Sequence, residues 1–188
     1  MAVVISVIIP HHYGIPGAEE WLAECIASLE GYDELIVIAN DGLGFGAACN
    51  LGFQSARGDY LVMSNNDIVL TRGSLRDLAQ NDAVTKPYIH GQPDQKPRAF
   101  YCMPRWVYER VGGYDERFKI GYFEDDDLIR RWEEAGVSYR TLPEVRVSHR
   151  DGGGNTIKHV GQDGNPSPNG EQENFEANER RFNLKWGT

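Results

Sequence analysis

Cysteine is scarce in this chain, and positive charge is outnumbered. The 188 residues hold three cysteines, Cys25, Cys49 and Cys102, with no CxxC spacing and no Cys/His cluster. That argues against a disulfide scaffold or a zinc site and predicts reduced thiols in a cytoplasmic protein. Lys and Arg number 19 against 28 Asp and Glu, a net charge of −9. Such a balance opposes non-specific attraction to nucleic acid or to an anionic membrane, although five arginines (130, 131, 140, 146 and 150) gather late in the chain. Long apolar runs are missing. The stretch over 2–9 is too short to span a bilayer, and no basic segment precedes it, so neither a membrane span nor a secretion signal is expected. Two phosphate-binding signatures are also absent. No Gly-Lys-Ser/Thr follows Gly42, Gly44 and Gly46, and no GxGxxG follows the first apolar run. The first absence disfavours a P-loop and the second a dinucleotide-binding oxidoreductase.

What remains is a globular composition, 40% apolar and 25% charged, at a length that suits one domain. Residues 3–9 are β-branched and end at Pro10, which suits a strand exit. Residues 18–30 carry Trp21, Leu22, Cys25, Ile26 and Leu29 at helical spacing, with Gly31 as the stop. A strand over 35–39, a helix over 45–57 and a strand over 60–63 follow. This β-α-β-α-β order predicts an α/β fold with a mainly parallel sheet and right-handed crossovers. Beyond a helix over 74–80, the segment from Lys86-Pro87 to Lys96-Pro97 reads as a loop or edge hairpin. Strands are expected over 100–103, 137–139 and 145–148, and helices over 105–111 and 124–135. Residues 151–173 are rich in Gly, Asn, Asp and Pro and read as a mobile loop or a disordered tail.

The chemistry gathers where strands end. Tyr60-Leu61-Val62-Met63 runs into Asn65-Asn66-Asp67, and the second strand runs into Asn40-Asp41. Such oxygen-bearing side chains sit where open α/β sheets bind ligands, and hard divalent cations prefer oxygen donors. An ordinary Asn/Asp turn explains the same residues. Glu124-Asp125-Asp126-Asp127 opens a helix. Opposing the macrodipole explains two of the four acids, but four neighbouring charges repel one another. The apolar face of Leu128, Ile129 and Trp132 turns Asp125 toward the protein body and leaves Asp126 and Asp127 better solvated. Asp125 is therefore the candidate general base. His11 and His12 read either as nucleotide contacts or as exposed loop residues, and His149, taken alone, reads as structural. Trp106, Tyr108, Tyr114 and Tyr122 read as packing residues first, with lining of the acceptor side as the alternative for some of them.

As an ordered set, these motifs resemble the family 2 glycosyltransferases of GT-A fold. The set is Val7-Ile8-Ile9-Pro10, Ile36-Val37-Ile38-Ala39-Asn40-Asp41, Gly58-Asp59-Tyr60-Leu61 with Asn65-Asn66-Asp67, Gly112-Gly113-Tyr114-Asp115-Glu116-Arg117-Phe118, and Glu124-Asp125-Asp126-Asp127-Leu128-Ile129-Arg130-Arg131. The resemblance covers residues 3–149. It implies a GT-A domain over 1–150, with 151–188 as a Gly-rich loop and C-terminal extension of the same domain. It further implies a nucleotide-sugar donor, UDP-sugar favoured, and inverting transfer to a hydroxyl acceptor (glycan, protein, lipid or modified base). Pro10, Asp41 and Asn66 would hold the donor, Asp67 and His149 would hold Mn2+ or Mg2+, and Asp125 would act as base. His159 is the reserve metal ligand, and the 151–170 segment would close over the donor. The sequence departs from the family at Asn65, which replaces an acid, and in a shortened connection after the second strand. A nucleotidyltransferase of similar layout is the first rival, though the glycine-rich, lysine-bearing entry loop of that class is missing after the first strand here. A non-catalytic nucleotide-sugar-binding module is the second.

Overall fold

The computed structural model describes residues 3–92, 96–150, 160, 165 and 167–188. Seven strands and six helices follow one another as β1 (Ile5–His11), α1 (Ala18–Ser28), β2 (Glu34–Ala39), α2 (Phe45–Ser55), β3 (Tyr60–Ser64), β4 (Ile68–Arg72), α3 (Leu75–Leu78), β5 (Val84–Ile89), β6 (Phe100–Pro104), α4 (Arg105–Val111), α5 (Glu124–Glu134), β7 (Tyr139–His149) and α6 (Gly170–Trp186). All seven strands join one sheet in the order β2-β1-β3-β6-β5-β7-β4. β2, β1 and β3 are parallel, as are β5 and β7, while β6 and β4 run against their neighbours. Among the described residues no helix is long and apolar enough to cross a membrane.

The apolar runs of β1 and β3 are buried on both faces, as expected where helices cover a parallel sheet on each side. Alternate residues divide between two cores. Ile5, Val7, Ile9 and Val62 pack with Cys25 and Leu29 of α1 and with Leu75 and Leu78 of α3. Ile8, Leu61 and Met63 pack with Phe53 of α2, Val107 of α4, and Leu128, Ile129 and Trp132 of α5. The three cysteines are buried and unbridged.

The structure departs from the sequence reading in six elements. Pro10 does not end β1; the strand continues to His11, and Pro10 pairs with Ile38. Proline fits there because the β1–β3 ladder stops at Ile8, so one side of β1 is already unpaired. Lys86 and Pro87 lie in β5, inside the sheet between β6 and β7, and not in a loop or edge hairpin. Lys86 is buried and its ammonium donates to the Lys96 carbonyl at 3.3 Å, which makes a polar-looking segment compatible with the interior. The two late strands are one, β7, carried through Pro143 with a register shift opposite Pro87/Tyr88. The expected helix over 74–80 contracts to α3, closed by a capping box between Ser74 and Asp77. Two elements had no counterpart in the reading: β4 and the seventeen-residue α6.

Candidate active site

The carboxyl ends of β1, β2, β3, β5 and β7 lie along one edge of the sheet, where β6 and β4 begin. This edge collects the candidate residues. Asp67 directly precedes β4 and His149 ends β7, and the antiparallel register pairs Ile68 with His149. The ladder therefore brings together two side chains that lie 82 positions apart, with His149 Nε2 3.0 Å from Asp67 Oδ1. Both side chains are buried, at 5% and 6% exposure. His149 Nδ1 lies 3.0 Å from Gln92 Nε2 just beyond β5.

Two donors converge there, and among the described residues no group of three or more His, Cys, Asp and Glu side chains is arranged around a metal. A third donor of another kind is near in sequence: Asn65 Oδ1 is buried with no hydrogen-bond partner. A buried amide oxygen left unsatisfied calls for a ligand. The 3.0 Å between Asp67 Oδ1 and His149 Nε2 also matches two adjacent ligands about 2.1 Å from an octahedral ion. Carboxylate, amide oxygen and imidazole suit Mn2+ or Mg2+ rather than a thiolate-seeking metal. The donor set fits the expected divalent cation.

Beside this pair, His11 is fully buried at the end of β1, which corrects the exposed-loop alternative. Its Nδ1 lies 2.9 Å from Asn66 Nδ2, and its Nε2 has no partner. Burial lowers the His11 pKa, favouring the neutral ring. With Nδ1 accepting from Asn66, Nε2 carries the proton and is a buried donor without a partner. Asp41 stands at the rim, 3.2 Å from His12 Nδ1 and accepting from the Tyr13 amide at 3.4 Å. Pro10 is buried one residue inside the strand, so His11 occupies the mouth in its place.

Asp125 opens α5 on the other side of the edge. Asn50 of α2 donates to the Tyr114 carbonyl at 2.9 Å and accepts from the Tyr114 amide at 2.8 Å. A Cβ on Gly113 would fall 2.0 Å from Asn50 Oδ1, so the second glycine of the Gly-Gly-Tyr motif is sterically required. The motif thus fixes Tyr114, whose hydroxyl receives one from Tyr101 at 3.0 Å and donates to Asp125 Oδ1 at 3.1 Å. Tyr114 was read as a packing residue or an acceptor-side lining; no residue pattern announces that its hydroxyl reaches a carboxylate eleven positions on. Desolvation pushes the Asp125 pKa up to about 7, against the Tyr114 hydrogen bond and the Arg98 charge, which lower it. Burial also raises Glu124 well above the carboxylate range, with the Asp125 charge as second cause, and Glu124 Oε2 has no partner. Arg98 donates to Asp126 at 2.7 Å.

Asp127 overturns the solvation expected of it. It is fully buried, bonded to Arg131 Nε at 2.9 Å, Lys185 Nζ at 2.6 Å and Trp186 Nε1 at 2.9 Å. The expectation treated α5 as one-sided, whereas α6 covers its second flank. The late arginines form no shared basic patch either: Arg131 binds Asp127, Arg140 binds Asp82, Arg150 binds Glu24 and Arg130 lies over the Trp186 ring. His159 and most of the expected lid over 151–170 lie outside the described residues.

A curled, mostly parallel sheet with helices on both faces and acidic residues along its ligand edge is the GT-A glycosyltransferase fold. Residues 23–86, from α1 into β5, match the family described as Glycosyl transferase family 2. In sequence over that stretch and in fold over most of its length, the chain is similar to the family 2 glycosyltransferases. No curated protein matches it by sequence. Among solved structures, the catalytic domain of Drosophila beta1,4galactosyltransferase 7 in complex with xylobiose superposes with a TM-score of 0.63 at 17% identity, over 92% of this chain and 79% of that one. GalNAc-T7 with UDP, GalNAc and Mn2+ gives 0.62 at 13% identity, over 83% of this chain and 46% of that one. The mannosyltransferase PcManGT from Pyrobaculum calidifontis, with GDP-Man and Mn2+, gives 0.57 at 14%, over 79% and 57%. This chain therefore spans about half the length of the last two.

Proposed function

We propose that this chain transfers one sugar from a nucleotide-sugar, UDP-sugar before GDP-sugar, to a hydroxyl acceptor with inversion at the anomeric carbon. The observation that carries this reading is Asp125: a carboxylate at the ligand edge, held by Tyr114 and pushed by burial to about 7. A base of that pKa takes a proton near neutrality. Asp125 removes the hydroxyl proton as the acceptor oxygen attacks the anomeric carbon. The bond from that carbon to the diphosphate oxygen breaks in the same displacement, and the electron pair leaves with the diphosphate. Asp67 and His149, with Asn65, would hold Mn2+ or Mg2+, which when bound neutralises charge on the departing diphosphate. His11 Nε2 and the rim carboxylate of Asp41 would orient the nucleotide, with Asn66 fixing the His11 ring. UDP in GalNAc-T7 supports the UDP preference by fold analogy, while GDP-Man in PcManGT keeps GDP second.

The deciding experiment is a thermal-shift screen of nucleoside diphosphates with and without manganese, followed by detection of nucleoside diphosphate released from the matching donor. A ligand at about 100 times its dissociation constant should stabilise the fold by about 2.7 kcal/mol. Metal-dependent stabilisation with release supports the reading. Stabilisation without release leaves a binding module, and product from sugar phosphate plus nucleoside triphosphate would replace it with nucleotidyl transfer.

A further inference from the structure

The turn that delivers Asp125 is backbone-strained and, apart from the bond of the Gly121 amide to the Lys119 carbonyl at 2.8 Å, is held by other parts of the chain. Ile120, Tyr122 and Phe123 all have positive φ, at 63°, 74° and 68°. Left-handed backbone at non-glycine residues costs on the order of 1–3 kcal/mol each and persists only when neighbours over-determine it. Phe123 is also the N-cap of α5, and no side-chain cap bonds the first turn. A helix normally fixes its start with Ser, Thr, Asp or Asn at that place. Here two buried, desolvated acids follow immediately, so the start of α5 must be set from outside.

The outside element is α6. Asn178, fully buried, donates from Nδ2 to the Lys119 carbonyl at 2.9 Å and the Gly121 carbonyl at 2.7 Å, and its Oδ1 accepts from Arg181. Both protons of one amide thus grip the two carbonyls that flank Ile120. From the opposite side, the Phe45 amide at the start of α2 donates to the Ile120 carbonyl at 3.1 Å. A Cβ on Gly44 would meet the Ile120 nitrogen at 2.9 Å. Phe175 and Phe182 of α6 close on the Phe123 ring at 5.1 and 5.5 Å between centroids.

We propose that Asn178 is a positioning residue, whose paired hydrogen bonds hold the left-handed turn over 120–123 and thereby set the direction in which Asp125 enters the site. The claim rests on Asp125 as the base, but its structural half can be measured without turnover. The groups that face Asp125 are Tyr114, Arg98, Asp126, Glu124 and Cys49, and Asn178 touches none of them in the hydrogen bonds above. The direct route from Asn178 to Asp125 is the backbone turn; the second route from α6, Lys185 and Trp186 on Asp127, does not involve the Asn178 amide.

The test compares the wild type, Asn178→Ala, and Asn178→Ala combined with Ile120→Gly. Glycine adopts the left-handed region without penalty, so the second change relieves the strain that Asn178 normally restrains. Asn178→Ala should raise hydrogen exchange of the Gly121 and Asp127 amides, which bond the Lys119 and Phe123 carbonyls of the turn, by about tenfold. It should also move the carboxyl-carbon titration midpoint of Asp125, and lower kcat about tenfold with donor KM unchanged. Manganese-dependent nucleoside diphosphate binding should not change. The double variant should recover most of the exchange protection and the titration midpoint. Unchanged exchange and titration in folded Asn178→Ala would overturn the proposal. So would a rise in exchange spread over all of α6 with no recovery in the double variant, since Asn178 would then only hold the helix. If the wild type itself moves no sugar, the functional reading fails, while exchange and titration still decide whether Asn178 positions Asp125.

Discussion

The two sides of the ligand edge are built by different means. Asp67 and His149 are placed by a strand ladder: once Ile68 pairs with His149, their side chains meet 3.0 Å apart. Register in a sheet with buried faces is strongly specified, because a one-residue slip turns every side chain to the wrong face. Asp125 has no such guarantee. Its direction depends on three left-handed residues, an uncapped helix start and contacts from α6, more than fifty positions away. The strand side should therefore respond mainly to changes in its own ligands, and the helix side to distant ones as well.

The largest effect should come from removing the base. Asp125→Asn keeps shape but cannot take the proton, and loss of a general base typically lowers rate by roughly 10²–10⁴. Metal and donor binding, which belong to the strand side, should stay intact by thermal shift. Near-normal transfer would dissolve the contrast altogether. Two pH effects follow from the same shift. With Asp125 as the proposed base, transfer needs its ionised form, so the rate should rise through pH 7 and fall about tenfold per unit below it. Stability runs the other way. A folded pKa of about 7 against an ordinary 3.8 means that the charged form is disfavoured by folding. Wild-type stability should therefore be lost progressively as pH rises from about 4 to about 7. Asp125→Asn should melt higher than wild type at pH 8 and equally at pH 3, and the reverse order would refute the burial of this carboxyl.

Next in size is Asp127→Ala. It removes a buried carboxylate shared by Arg131, Lys185 and Trp186 and cuts this link between α5 and α6, although Lys185 keeps Asp115 at 2.7 Å and Arg131 keeps the Val111 and Gly113 carbonyls. Breaking a fully buried ion pair costs about 3–5 kcal/mol, and the partial exposure of Arg131 and Lys185 brings the expectation to about 3 kcal/mol in urea unfolding. A loss under about 1 kcal/mol would mean that α6 does not brace the helix side.

The legibility of this chain in its sequence follows the same division. The parallel half of the sheet was readable because buried strands and their helices carry strong apolar periodicity, as in Val7-Ile8-Ile9 and Trp21 through Leu29. Asp67 and Asp125 were readable as acids at a strand end and a helix start, but the pairing of Asp67 with His149 came through the family resemblance alone, and the ladder that makes it was not readable because β4 was unseen. Its run Ile68-Val69-Leu70 follows so closely on Asn65-Asn66-Asp67 that the turn signal masks it. α6 was invisible for a different reason. Its buried positions include Asn174 and Asn178 in place of an apolar stripe, so no hydrophobic period marks it. Tyr114 and Asn178 act through backbone and hydroxyl geometry, which residue type alone does not encode.

On the strand side a smaller change is expected from Gln92→Ala. Gln92 is the neighbour of His149 Nδ1, and such outer partners fix the tautomer and orientation of a ligating imidazole. Nε2 can bind a cation only when the proton sits on Nδ1, which then needs an acceptor; the Gln92 amide supplies one through its oxygen after rotating half a turn. Manganese affinity, measured by titration calorimetry with nucleoside diphosphate present, should fall about tenfold. Donor affinity with saturating manganese should recover. No change in manganese affinity would place the cation away from His149.

The smallest effect should be that of Asp126→Asn, one residue from the base. Asp126 is 30% exposed and pairs with Arg98, itself 41% exposed, at 2.7 Å. Exposed pairs of this kind contribute about 0–1 kcal/mol, so melting should barely move. The Asp126 charge is one of the causes that raise the Asp125 pKa, and Arg98 is one that lowers it. Neutralising Asp126 removes the first and releases Arg98 from its partner, so the acid limb of the pH–rate profile should shift to lower pH. Transfer above pH 8, where Asp125 is already ionised, should stay within a few-fold of wild type, since proton transfer itself is untouched. A loss as deep as that of Asp125→Asn would show that the acidic run over 124–127 acts collectively through charge, and the helix side would then owe its function to a field instead of to one positioned carboxylate.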